Sequence, residues 1–134
     1  MVNSKDKGSA FERELVKELN ANTSGTFKKI AGSGALGTVL SEPILTGDVN
    51  GILPGFPKKL KIECKVGYGG KTQFALKREW LNKIIEEAEA NWAFPLLFGK
   101  FSGARKADGV QKFVVMDIDS FYYLVNYIRD ITEE

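Results

Sequence analysis

Residues 62–66 read Ile-Glu-Cys-Lys-Val, and this alternation restricts the fold of the chain more tightly than any other stretch. Side chains on a strand point to opposite faces in turn, so Ile62, Cys64 and Val66 share one face and Glu63 and Lys65 the other. The apolar set belongs on a core, where Cys64 fits as a small buried hydrophobe. The acid and the ammonium are left side by side on the opposite face. Two readings follow. The pair is a same-face salt bridge worth ~0.2–1 kcal/mol, or it is half of an active site. Alone, the motif does not choose between them.

The neighbouring segments place this strand in a sheet. Phe11, Leu15, Val16 and Leu19 recur at helical spacing and predict a first helix over about Ser9 to Asn20. A short strand follows at TFKKIA, then a Gly/Ser-rich stretch, GSGALGTVLSEP, read as a mobile loop. GDVNGIL and KKLKIECKV read as two strands joined by a turn at PGFP. The break at YGGKTQ precedes a second helix, about Leu76 to Ala90, with Trp80, Leu81, Ile84, Ile85 and Ala88 as its buried face. AFPLLFGKF and QKFVVMDI read as two further strands. A last helix is expected to start at Asp119/Ser120, an N-cap pair. It carries Phe121, Leu124, Val125, Ile128 and Ile131 on one side, as core, dimer surface or both. The expected fold class is therefore α/β, a single domain over residues 1–134 with a central mixed five-stranded sheet flanked by helices.

Composition narrows the chemistry. The chain has one cysteine, Cys64, and no His, which excludes internal disulfides, cysteine-rich zinc sites and every His-based mechanism. Catalysis must run on carboxylates, Lys, Tyr or Ser. Neither a membrane span nor a secretory leader is visible, so an intracellular, cytoplasmic location is expected. The net charge is only +2, but residues 58–83 hold seven Lys and one Arg against two Glu, a net +6. Residues 117–134 hold five acids against Arg129, a net −4. A basic middle and an acidic end suit one face turned to a polyanion and another turned away.

Two further acids complete a constellation. Asp48 opens the strand before the Glu63 strand, and in an antiparallel hairpin it reaches the same cleft as Glu63. On the first helix, at about 100° per residue from Phe11, the apolar stripe spans roughly 0° to 140° and Glu12 falls inside it at about 100°. A carboxylate there needs a metal or a cation, a nearby Lys included. Glu12, Asp48, Glu63 and Lys65 are what a Mg²⁺-dependent phosphodiesterase needs. Mg²⁺ takes oxygen ligands and keeps several waters, so two or three carboxylates suffice, and an ammonium beside it offsets charge on phosphate.

At these residues the chain resembles the archaeal-type Holliday junction resolvases of the PD-(D/E)xK nuclease superfamily. KGSAFERELVKEL, AGSG, GDVNGIL and IECKV follow the motif series of that family over roughly residues 5–66. Gly47 stands where the family usually has Pro, and the loop before Asp48 is somewhat long. The resemblance implies a restriction-endonuclease-like core, with Glu12, Asp48 and Glu63 as Mg²⁺ ligands (Mn²⁺ substituting) and Lys65 as the catalytic lysine. It also implies that Lys7 opens the motif, that Arg13 contacts phosphate and that Ser33 lies near the scissile bond. The family acts as a symmetric homodimer that nicks four-way DNA junctions, a branched-DNA partner, with no nucleotide cofactor and no membrane.

Beside that resemblance, Lys28, Lys29, Lys58, Lys59 and Lys61 are candidate DNA-backbone contacts, and Gln73 and Lys77 are candidate assistants of the site. Tyr122, Tyr123 and Tyr127 read as packing residues. Two other functions stay open: a nuclease of the same superfamily acting on non-junction DNA, and a non-catalytic nucleic-acid-binding module with this fold.

Overall fold

The computed structural model describes residues 4–30 and 48–133. The first half holds α1 (Ser4–Asn22), β1 (Thr26–Lys29), β2 (Val49–Ile52) and β3 (Leu60–Val66). The second holds α2 (Arg78–Ala90), β4 (Phe94–Lys100), β5 (Lys112–Val115) and α3 (Ile118–Thr132), with a 3-10 turn at Lys106–Asp108. The loop expected at residues 32–43, and Ser33 with it, lies outside the described residues.

The strands form one sheet in the order β1-β2-β3-β4-β5. Three neighbouring pairs are antiparallel, and β3–β4 is parallel. A parallel pair cannot be joined by a tight turn and needs a long crossover, which α2 supplies. The fold is the expected α/β arrangement, a mixed five-stranded sheet flanked by three helices, consistent with a restriction-endonuclease-like core. Among the described residues no helix is long and apolar enough to cross a membrane.

Alternation explains which face each strand residue takes. Ile62 and Cys64 are buried in one cluster with Phe11 and Leu15 of α1 and with Phe27 and Val49. Phe27 faces Gly51 across β1–β2, and its ring occupies the room a Cβ at Gly51 would need. Tyr123 and Leu124 of α3 pack against the same cluster. On the opposite face α2 lays down Trp80, Ile84 and Ala88, all buried. The face of β3 that carries Glu63 is therefore covered as well.

Three helix boundaries differ from the sequence expectation. α1 starts at Ser4, not Ser9, because its first turn is polar and the apolar period begins a turn after the backbone does. α2 starts at Arg78, not Leu76, since Lys77 keeps an extended backbone. The cap of α3 is Asp117, not the expected Asp119/Ser120 pair. The Asp117 carboxylate accepts from the Ser120 backbone N–H at 3.3 Å and from the Ser120 hydroxyl at 2.5 Å, the bonding expected of an N-cap.

The apolar side of α3 is also not core alone. Leu124 is packed, but Phe121, Val125, Ile128 and Ile131 are 44–49% exposed. The half-buried side is Tyr123, Leu124 and Tyr127. The ring of Phe56 meets those of Tyr123 and Tyr127 edge-on at 6.1 and 5.2 Å. Tyr122, expected to pack, is 55% exposed.

Candidate active site

β3 carries the centre of the site. Glu63 lies one residue past the end of the β2–β3 pairing, where Val49 faces Ile62. It is only 3% exposed. One carboxylate oxygen stands 3.4 Å from Lys65 Nζ, and the other stands 4.0 Å from Lys83 Nζ of α2. That second oxygen is buried and accepts no hydrogen bond. Burial pushes the Glu63 carboxyl up to about 7, and the nearby Asp48 charge adds to this, while Lys83 and Lys65 pull it back. Lys65 is held from a second side, its ammonium 4.9 Å above the Trp80 ring.

Asp48 is fixed by the ladders around it. Its backbone N–H donates to Ile62 O at 2.9 Å, and its carbonyl accepts from Ile30 N at 3.0 Å. Its carboxylate Oδ2 accepts from the Cys64 backbone N–H at 2.8 Å. The backbone of Asp48 is thus tied between Ile30, just past β1, and Ile62 of β3, and its side chain is held on β3 at Cys64. Its charge raises the carboxyls of both Glu63 and Glu12, in each case second to burial. Glu12 pairs with Lys29, Nζ to Oε1 at 3.7 Å, and Lys29 also donates to the Ser9 hydroxyl at 3.0 Å. The carboxylate inside the helical stripe therefore has its cation, a lysine of β1.

The four residues Glu12, Asp48, Glu63 and Lys65 come to one end of the sheet, linked by these contacts and by the reach of the Asp48 charge. The E-x-K pair is also the salt bridge that its alternation allows. Other sequence candidates are placed elsewhere. Lys61 is 3% exposed, so it is no surface contact for DNA. It lies under α2 by Glu87, and burial holds its ammonium below the usual lysine range. Lys58 sits 4.4 Å over the Tyr123 ring. Lys59 precedes β3, about 20 Å along the chain from Lys65 at strand rise. Both are at the far end of β3 from the site. Lys7, Arg13 and Lys28 are exposed on α1 and β1, the elements that carry Glu12 and its partner Lys29. Lys77 lies over the rings of Tyr68 and Trp80 at 5.5 and 5.6 Å.

Sequence reasoning missed Lys83 and the role of Trp80. Both lie on α2, which runs antiparallel over β3, so that Trp80, Lys83 and Glu87 meet Lys65, Glu63 and Lys61 in turn. The spacing of 80, 83 and 87 on one helix face was the available signal.

The donor set fits a hard cation. It offers carboxylate oxygens, no thiolate that is not buried and no imidazole, which suits Mg²⁺ or Mn²⁺. Among the described residues no three His, Cys, Asp or Glu side chains stand together as a ready metal cage. Mg²⁺ does not need one, because it is bound through one or two carboxylates with water and substrate phosphate. The Glu63 oxygen without a hydrogen bond, near the Asp48 charge, is an acceptor of the kind such a cation would take.

The sequence profile of a family described as "Phage putative PDDEXK endonuclease" matches residues 3–132. No curated protein sequence matches the chain. The profile match supports the PD-(D/E)xK superfamily and carries no information on Holliday junctions.

Proposed function

This chain belongs to the phage PDDEXK endonuclease family, and on that premise we propose that it is a Mg²⁺-dependent endodeoxyribonuclease that hydrolyses phosphodiester bonds in branched DNA. The observation that carries the metal-dependent chemistry is the buried Glu63 oxygen that accepts no hydrogen bond, 4.0 Å from Lys83 Nζ and within reach of the Asp48 charge. The preference for four-way junctions is supported by the resemblance over residues 5–66 alone.

Asp48 and Glu63 would hold the Mg²⁺, with Glu12 as the third carboxylate of the site. When bound, the ion supplies Lewis-acid activation of water and neutralisation of phosphate charge. The protein's own groups do the rest. The Cys64 N–H and the two strand ladders hold Asp48 in place. Glu63 and the Trp80 ring hold the Lys65 ammonium from two sides, where it offsets negative charge on a phosphate drawn into the site. Lys28 and Arg13, exposed beside Glu12 and Lys29, bind the flanking backbone.

The test incubates the purified protein and Mg²⁺ with labelled four-way junctions and matched linear duplex. Symmetric nicking of the junction alone is expected. Equal cleavage of both substrates removes the junction preference and leaves the nuclease. Binding without cleavage in Mg²⁺ and Mn²⁺ removes the nuclease and leaves a binding module. Asp48→Asn keeps an oxygen for the Cys64 N–H and is expected to abolish cleavage while sparing junction binding.

A further inference from the structure

The connection from β3 to α2 turns through four consecutive residues of positive φ. Gly67, Tyr68, Gly69 and Gly70 stand at 93°, 60°, 142° and 86°. Glycine takes such angles freely, whereas an aromatic residue there is strained. The surroundings hold the strain in place. The Gly67 N–H donates to the Lys100 carbonyl at 3.2 Å, and the Ala75 N–H donates to the Tyr68 carbonyl at 2.6 Å. Gly69 lies so close to Gln73 that a Cβ would stand 2.6 Å from the Gln73 carbonyl oxygen. A fourth glycine would make the same turn without strain, so the Tyr68 ring is the feature to explain. Packing accounts for only part of it. The ring meets Trp80 at 4.6 Å and Phe74 at 6.3 Å between centroids, yet Tyr68 is 44% exposed.

We propose that Tyr68 is a stacking platform for an unpaired DNA base beside the cleaved bond, with Lys71 and Lys77 meeting the adjoining phosphates. Position is the first argument. Trp80 carries the Lys65 ammonium at 4.9 Å and the Tyr68 ring at 4.6 Å. The exposed ring is therefore within about three nucleotides of a phosphate held at Lys65, at the ~3.4 Å per nucleotide of a stacked strand. Charge is the second. Residues 65–78 hold Lys65, Lys71, Lys77 and Arg78 and no acid, and the last three are exposed, which suits a polyanion. The third is what now covers the ring. Lys77 Nζ lies 5.5 Å from the Tyr68 centroid, and an exposed cation–π contact is weaker than a base stacked on an aromatic ring. A base displaces the ammonium, which is then free for phosphate. Every base has a π-face, so the platform reads unpairing and not sequence. A linear duplex keeps its bases stacked on one another, whereas a branch point interrupts the stack. The inference rests on the DNA-cleaving reading above and names the feature of branched DNA that this end of the site selects.

The test is fluorescence anisotropy in EDTA, so that binding is read without cleavage. The probes are a labelled duplex carrying a run of unpaired thymines and the same duplex fully paired. The native protein is expected to prefer the unpaired probe. Tyr68→Leu keeps apolar packing on Trp80 but offers no π-face, and it is expected to reduce that preference by about 5- to 150-fold, the worth of one stacked base. Tyr68→Phe is expected to retain it. A fluorescent purine analogue at the unpaired position is expected to be quenched by the native protein and by Tyr68→Phe but not by Tyr68→Leu, a readout that a packing role does not move. A native preference kept in full by Tyr68→Leu overturns the proposal even where junctions are cleaved. Its loss in that variant supports the proposal even where nothing is cleaved, so the platform and the nuclease reading fail separately. A native protein that binds both probes equally also overturns it.

Discussion

The two faces of β3 are both buried, and they are built by opposite rules. Under α1, Ile62 and Cys64 close on Phe11 and Leu15 with no polar atom to satisfy. Under α2, Lys61 and Glu63 are as deeply buried, each 3% exposed, and meet Glu87, Lys83 and Lys65 in a ladder of alternating charge. The apolar face needs only shape. The charged face carries a desolvation cost that pairing offsets in part, and the ladder is incomplete, since Glu63 and Glu87 each keep a buried oxygen without a hydrogen bond. A fold that wanted only stability would make the second face like the first. On the proposed function, the charge at Glu63 is the feature that a metal ion would use.

The largest expected effects separate the faces by exchanging stability for activity. Ile62→Ala is expected to cost about 2–5 kcal/mol in chemical denaturation, with cleavage per folded molecule retained. Glu63→Gln is expected to do the reverse, abolishing cleavage while raising metal-free stability at pH 8 by about 1–3 kcal/mol, because it removes an ionised group from a buried site. A Glu63→Gln protein less stable than the native one at that pH breaks the comparison, since it makes the ladder a net stabiliser.

A smaller effect follows from pH. The Glu63 carboxyl is raised from 4.5 to about 7, so the folded state holds the proton more tightly than the unfolded chain. Its contribution is fully present below pH 4.5 and lost as pH rises through about 7, up to about 3 kcal/mol. Glu12 and Glu87 are raised by burial too and act in the same direction. The chain has no His to oppose the trend in this window. Metal-free stability is therefore expected to fall between pH 5 and 7.5, and Mg²⁺ to restore it most at the upper end, with protons released on binding. Stability that rises over that range sinks the argument, and an unchanged slope in Glu63→Gln assigns it to the other acids.

Much of this was legible in the sequence because β3 alternates so strictly. Alternation put Ile62 and Cys64 on the core, and helical spacing put Glu12 inside the stripe of α1. It could not say what lies over the other face. Lys61 reads as a surface cation in any sequence, and only the antiparallel run of α2 over β3, a tertiary fact, buries it beside Glu87. The same holds for Trp80, whose helical position marks it as core while its ring face serves Lys65. The α3 stripe stayed open for the converse reason. Periodicity shows that a face is apolar but not which of two apolar arcs the chain itself covers. Asp117 was passed over as a cap because Asp119 and Ser120 are equally good cap residues two positions on, and local chemistry alone does not rank them.

The smallest expected effect sharpens the comparison most closely, at Lys83. Its ammonium is 4.0 Å from the Glu63 oxygen that lacks a hydrogen bond, and its side chain is 62% exposed. A pair with one partner so open contributes little, and Lys83→Ala is expected to change metal-free stability by less than about 1 kcal/mol. Yet the same ammonium competes with a cation for that oxygen. Removing it is expected to tighten Mg²⁺ binding by about two- to fivefold in titration calorimetry at low salt, with the difference shrinking as added salt screens the exposed charge. Weaker Mg²⁺ binding in Lys83→Ala makes Lys83 a support of the site instead of a placeholder in it. In that case the charged face of β3 is a finished structure, and its open oxygen is not the position where the metal enters.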